Sequence, residues 1–423
     1  MNQNYFLHWS KAQRFAFRAF SLYLILYFLF MSDFIGNSFY EFAVLKDINK
    51  PFQYVTVTLI SWINNLFLHK QFPGAVYIGD NYWTFTAALS FLIIAITTAG
   101  VWTIIDKGKN FPSFYKYMHV FARYYLGFVL LLYGLEKITF NQFGIQPSAL
   151  AESMGNNDSW HMFRAFMGIS KSYKFFSGLM ELIPGLLLLF RRTSTLGSLI
   201  ALPVLINVLM LNIGYDIWLK LLVFHLILFS VFILLPELKK IVQIFILKKK
   251  ISLTSFPSLI ENKNLKWLQY ALKFSLIGIV IYMLITLEIR LTNERINSPY
   301  SNIVGIHEIS RFSFNLNMPE PNNHDSANWK KVTINTAPFL RVQLMNDSIV
   351  EYNFKVDTLK RLLELKLWND TSINGKLHYT SVTPEEWLFE GKIKNDSIRF
   401  STRKIDMYDL PLLKGYGKVK WVY

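Results

Sequence analysis

The sequence predicts a mainly α-helical, multi-spanning membrane protein that ends in a small antiparallel β-rich domain. Three observations carry this. Hydrophobic residues make up 52% of the 423 and charged residues only 17%, well under the roughly 25% usual for soluble domains. About seven apolar runs are long enough to cross a bilayer as helices, which takes roughly 17–25 residues. Past Arg290 the apolar runs give way to period-two alternation, mixed charge and turn residues.

The spans are expected, in order, at Phe15–Met31, Thr84–Ile105, Val120–Leu135, Phe175–Phe190, Leu196–Leu211, Trp218–Leu235 and Leu268–Leu287. The first follows Lys11 and Arg14 and holds Arg18. It resembles a signal peptide in charge, but no small-x-small cleavage site follows in Ser32–Tyr40, so it reads as an uncleaved anchor. Phe52–Leu68 is apolar but carries Gln53, Asn64 and Asn65, and reads as an interfacial or re-entrant helix. Ile241–Leu247 is flanked by lysines and too short to cross, and reads as an amphipathic surface segment.

Basic residues set the expected orientation. Lys107, Lys109 and Lys116, then Arg191 and Arg192, then the lysine-rich stretch Glu237–Lys266 all fall on the same side as the N-terminus when seven spans are counted. The positive-inside rule makes that side cytoplasmic and leaves the C-terminal domain outside, periplasmic in a bacterial inner membrane. The expected division is 1–118 for the N-terminal spans, 119–238 for a four-helix core, 239–288 for a basic linker and last span, and 289–423 for the outer domain.

In that last part, strands are predicted at Lys331–Thr336, Phe339–Leu344, Ile349–Val356, Trp387–Ile393, Ile398–Thr402 and Lys418–Tyr423. Turns are expected at Asn346-Asp347-Ser348, Asn374-Gly375 and Asn395-Asp396-Ser397. One helix is expected at Asp357–Leu365, which has helical spacing and an Asp cap. Together they predict a meander or partial barrel.

Composition also excludes function classes. The chain has no cysteine, so disulfides, thiolate nucleophiles and cysteine-ligated clusters are ruled out within it. The net charge of +16 sits beside apolar runs and reads as topology rather than nucleic-acid binding. His307, His324 and His378 lack clustered carboxylates, so no metal site is expected. No repeated halves of transporter kind are visible.

Charges within spans cost about 2.5–3.5 kcal/mol each on insertion scales, so each needs a reason. Glu181 lies inside the fourth run and His225 inside the sixth. Lys137, Asn207, Asn212, Asp216 and Lys220 lie near the ends that the topology places outward, and Glu136 is beside Lys137. Several spans thus bring polar groups to similar depth. Glu181 and His225 are the candidate proton carriers, and Lys137, Asn207, Asn212, Asp216 and Lys220 the candidate ligand-binding groups of a quinone or other small-molecule pocket. The competing reading is structural, with polar side chains joining spans, for instance Glu181 with Lys220. Gly178, Pro184, Gly185 and Gly197 read as packing positions, and His161, in the following loop, as a group that could fold over the site.

The order of these residues resembles the DoxX-like family of membrane proteins. It runs through Arg123, Tyr133-Gly134, Lys137, Gln142-Phe143, Met167-Gly168, Gly178, Glu181, Gly185, Arg191-Arg192-Thr193, Gly197, Asn207, Leu211-Asn212, Tyr215-Asp216 and Lys220. It covers about Gly79 to Pro236. Relatives carry a fuller glycine-rich stretch where this chain keeps only Gly79-Asp80. The resemblance implies a four-helix core and a membrane subunit linked to quinone redox chemistry, embedded in the lipid bilayer. The alternative is a non-catalytic scaffold or assembly protein that binds an extracytoplasmic partner through 289–423.

Overall fold

The computed structural model describes residues 9–31, 50–74, 79–106, 112–139, 142–153, 155, 157–248, 263–297, 300–314, 328–370 and 372–413. The stretch Ser32–Tyr40, His324 and the strand expected at Lys418–Tyr423 lie outside them. The chain forms two compact units, Met1–Ile138 with Phe176–Glu288, and Thr139–Phe175 with Ile289–Tyr423. The segment after the third span therefore groups with the strands, not with the spans that flank it.

Seven helices are long and apolar enough to cross a membrane. They are α1 (Lys11–Met31), α3 (Tyr82–Ile105), α4 (Pro112–Ile138), α7 (Lys171–Leu189), α8 (Ser194–Gly214), α9 (Lys220–Phe245) and α10 (Lys263–Ile296). Each overlaps an expected span, and the chain is a multi-pass integral membrane protein. Helix α2 (Lys50–Ile63) closes with a π-helical turn at Asn64–Leu68. Its 14 residues make about 21 Å, short of a crossing. One expectation fails. Ile241–Phe245 is not a separate surface segment but the end of α9, which continues through Pro236.

Glycines decide how two of the spans meet. Gly127 faces Gly185 and Gly134 faces Gly178, so α4 and α7 run antiparallel with backbones touching. A β-carbon on Gly178 would lie 2.7 Å from the Gly134 carbonyl oxygen, and one on Gly185 3.0 Å from that of Gly127. The seven-residue spacing returns small residues to one face every two turns. Arg123 closes the end of this contact. Its guanidinium donates to the carbonyls of Leu188 and Leu189, at 3.2 and 3.4 Å. Those are among the last carbonyls of α7, which no intrahelical donor can reach. Arg18, fully buried on α1, similarly ties Thr103 and Asp106 at the end of α3, at 2.9 and 2.7 Å.

In the second unit, short helices α5 (Pro147–Ala151) and α6 (Ser159–Ile169) accompany eight strands. The strands are β1 (Gly305–Phe314), β2 (Trp329–Ile334), β3 (Phe339–Leu344), β4 (Ile349–Asp357), β5 (Leu362–Leu367), β6 (Asn374–Ser381), β7 (Glu386–Ile393) and β8 (Asp396–Ile405). They form a closed antiparallel barrel in sequence order, with β1 paired to both β2 and β8. Closure removes the sheet edges that a partial barrel would expose. Inward side chains such as Trp329, Val342, Phe354, Leu377, Phe389 and Phe400 fill the interior as one core.

Asp357–Leu365 is not a helix. It is the end of β4, a turn and the start of β5, with Val356 opposite Leu363 and Leu365 opposite Gly375. Burial on a pleated strand outweighs a short helical spacing. The turn expected at Asn374-Gly375 instead opens β6, and the turns at Asn346–Ser348 and Lys394–Asn395 fall where alternation ends, with Asp347 and Lys394 at positive φ.

The outer face of the barrel carries the 139–175 segment. Gln146 bonds Thr336, Ser148 bonds Asn335, and the Arg341 guanidinium reaches Glu152 at 2.6 Å.

A histidine sits inside the barrel. His307 is fully buried, with Nε2–H donating to the Ile303 carbonyl at 2.9 Å and Nδ1 accepting from the Thr402 hydroxyl at 3.0 Å. Burial, aided by the nearby Lys404 charge and opposed by the Ile303 bond, lowers this imidazole to about 4. The unfolded chain takes up a proton near pH 6.5 while the folded barrel refuses it until about 4. Stability is therefore full above pH 6.5 and falls as pH drops toward 4, by roughly 3 kcal/mol in all. Hydrogen-exchange protection of β1 and β8, corrected for intrinsic rates, is expected to fall across this window and to flatten in His307→Gln. An unchanged profile in the variant removes His307 as the cause.

Candidate functional site

The helix pairings bring one set of polar groups to one end of the first unit. His119 on α4 packs on Phe232 of α9, and Tyr125 packs on Phe229, so the two helices are antiparallel. The C-terminal end of α4, with Lys137, thus lies beside the N-terminal end of α9, with Lys220 and His225. Tyr23 meets His225, and Phe17 and Phe20 meet Phe232, which aligns the second half of α1 with the same end.

His225 is the most constrained of these groups. It is fully buried, about 7–8 Å along α9 from Lys220. Nδ1 lies 2.7 Å from the Leu221 carbonyl, which only accepts, so Nδ1 carries the proton. Nε2 then accepts from the Tyr23 hydroxyl at 2.7 Å. Tyr27 stacks on the ring at 3.5 Å between centroids and 3° between planes. Its hydroxyl lies in electrostatic range of Tyr23, Tyr125, Tyr133 and Asp80. The result is an imidazole with a fixed tautomer, bonded to one phenol and stacked on another.

Glu181 does not pair with Lys220. It is held by Lys137 at 2.6 Å, with side chains only 8% and 5% exposed, Lys137 first. Glu136 lies within Coulomb range of both members of this pair and of Glu288. Lys220 is bound to Asp216 at 2.8 Å and lies 3.7 Å from Asp80. Neither ammonium is left as an open anion holder. Asn212 is buried near the end of α8, whereas Asn207 is exposed on the bundle surface and Asp216 is exposed beside Lys220. His161 stands in the second unit, bound to Asp158 at 2.8 Å.

Sequence reasoning missed three participants. Asp80 accepts from the backbone N–H of Lys220 at 2.7 Å and of Leu221 at 2.9 Å, capping α9 from another part of the chain. The retained Gly79-Asp80 pair was its only sequence signal. Tyr23 and Tyr27 stood out in no way, because their four-residue spacing shows a shared helix face but not what faces it.

No family model matches the chain, and no solved structure matches it. Over 97 residues, 22% of this chain, it is 35% identical to the uncharacterized protein YwoB of Bacillus subtilis (strain 168). The chain spans 60% of that relative's length.

Proposed function

We propose that the chain is a DoxX-like protein of the bacterial inner membrane whose spans hold a quinone-linked proton site. The observation that carries this reading is the buried Tyr23–His225 hydrogen bond. His225 Nε2 is a base with a fixed tautomer, and the half-buried Tyr23 hydroxyl, donating to it, keeps oxygen lone pairs for a hydroxyl arriving from the other side. These residues suit a quinone head group, which needs a polar contact at each oxygen and aromatic walls of the kind that Tyr27 and Phe224 supply around His225. A quinone brings two-electron, two-proton chemistry; the chain's own residues accept and pass the proton. Asp80 holds the start of α9, and with it the His225 backbone turn, in place.

The test is titration of purified protein in mild detergent with a short-chain quinol, followed by extraction. Tyr23→Phe is expected to weaken binding at least about tenfold, equivalent to roughly 1.4 kcal/mol, while keeping the fold. Equal binding by wild type and Tyr23→Phe contradicts the reading.

A further inference from the structure

The second unit contains a cleft of about 420 Å³ between the 139–175 segment and the outside of the barrel, walled by Glu152, Asp158, His161, Arg341, Glu351 and Trp368. This is within the size range of small-molecule sites, roughly 300–1,000 Å³. Its guanidinium is already committed. Arg341 donates from Nε to Glu351, from one terminal nitrogen to Glu152 Oε1 at 2.6 Å, and from the other toward His161 Nε2 at 3.4 Å. A guanidinium only donates, so His161 Nε2 accepts from Arg341, and its Nδ1–H is turned to Asp158 at 2.8 Å.

The acceptors are in excess. Burial alone would raise the Asp158 carboxyl, but hydrogen bonds from the His161 backbone and ring, with the Arg341 charge, hold it below the usual carboxylate range. Three carboxylates then face one guanidinium, a local net charge of −2 in a chain of +16. Glu152 is the sharpest case. Its side chain is 7% exposed, and Oε2 is buried and meets no hydrogen-bond donor among the described residues. A buried carboxylate oxygen without a donor costs free energy that an incoming N–H recovers. Beside it, the Trp368 indole is 57% exposed.

We propose that this cleft binds an organic ammonium compound, with an N–H group on Glu152 Oε2 and its hydrocarbon part against Trp368. An indole face attracts a cation as well as apolar surface. A saccharide fits less well, since a neutral molecule leaves the two negative charges unmatched. The inference concerns the second unit alone and does not rest on the quinone reading.

The experiment is calorimetric titration of the full chain in detergent with 1,5-diaminopentane, using 1,5-pentanediol as the neutral isostere. The diamine is expected to bind saturably at one site and the diol to give no saturable heat. Glu152→Gln is expected to weaken the diamine at least about tenfold, and Trp368→Leu several-fold. Trp368 is exposed, so its replacement leaves the fold intact and decides the matter where Glu152→Gln loosens the segment. Equal binding of diol and diamine, diamine binding unchanged in Trp368→Leu, or absence of diamine binding each overturns the proposal. So does tighter binding of a neutral sugar than of the diamine.

Discussion

Replacing Lys137 with methionine is expected to destabilise the bundle by roughly 3–5 kcal/mol, the usual cost of stranding one half of a buried ion pair. The pair is 2.6 Å long and nearly sealed. Removing the ammonium leaves Glu181 without its ion-pair partner and beside the Glu136 carboxylate. Glu181→Leu is expected to cost less, because Lys137 keeps Glu136 close by. The double variant Lys137→Met with Glu181→Leu is expected to recover most of the loss, since an apolar pair of similar volume needs no desolvation to be repaid. The thermal unfolding midpoint in mild detergent, taken for both singles and the double, checks this. A double variant as unstable as the sum of its singles shows that something other than the pair holds these helices.

Gly178→Val is expected to be comparably damaging for a steric reason. Even the first added carbon would lie 2.7 Å from the Gly134 carbonyl oxygen and 2.8 Å from the Ile138 side chain. The opposing atom is backbone, so relief requires α4 and α7 to separate rather than one rotamer to change. Overpacking of this kind costs about 1–3 kcal/mol for a small addition and more for a branched one. Separation would also stretch the Lys137–Glu181 pair one turn away, because the Lys137 β-carbon is 3.1 Å from the same position. Gly278→Ala on α10 is the control, as nothing lies within 4 Å of its added carbon. It is expected to be neutral or slightly stabilising, since alanine favours a helix over glycine by up to about 1 kcal/mol. The same midpoint measurement applies, and equal effects at the two glycines would contradict a close backbone contact.

The spans were legible in the sequence because a bilayer imposes a length and a polarity that single runs display. The strands β3, β4, β7 and β8 were legible through alternation and their Asn- and Asp-containing turns. Barrel closure was not, because pairing of β1 with β8 joins positions about a hundred residues apart along the chain, such as His307 and Lys404, and leaves no local signal. β5 was misread because Asp357 and the following leucines satisfy a helical cap and spacing equally well. Among polar groups, depth could be read but partners could not. Glu181 was found, but Lys220 was the partner offered for it in the structural reading where Lys137 is the one that binds it, since spacing along a chain does not reveal which helix lies opposite. The glycines at 178 and 185 were read correctly as packing residues, since a small side chain at two-turn spacing has a direct steric meaning. Asp80 showed no such pattern, because its partners are backbone N–H groups far away in sequence.

The proposed quinone-linked proton site is built on Tyr23 and His225. The most direct test is lipid extraction of the protein purified in mild detergent, with mass spectrometry of the extract against protein concentration. A quinone near one per chain in wild type, and strongly reduced in Tyr23→Phe, is the expected result. An extract of phospholipid alone, from protein that remains folded, contradicts the claim and shifts the reading to a membrane scaffold with the barrel unit as its partner-binding element.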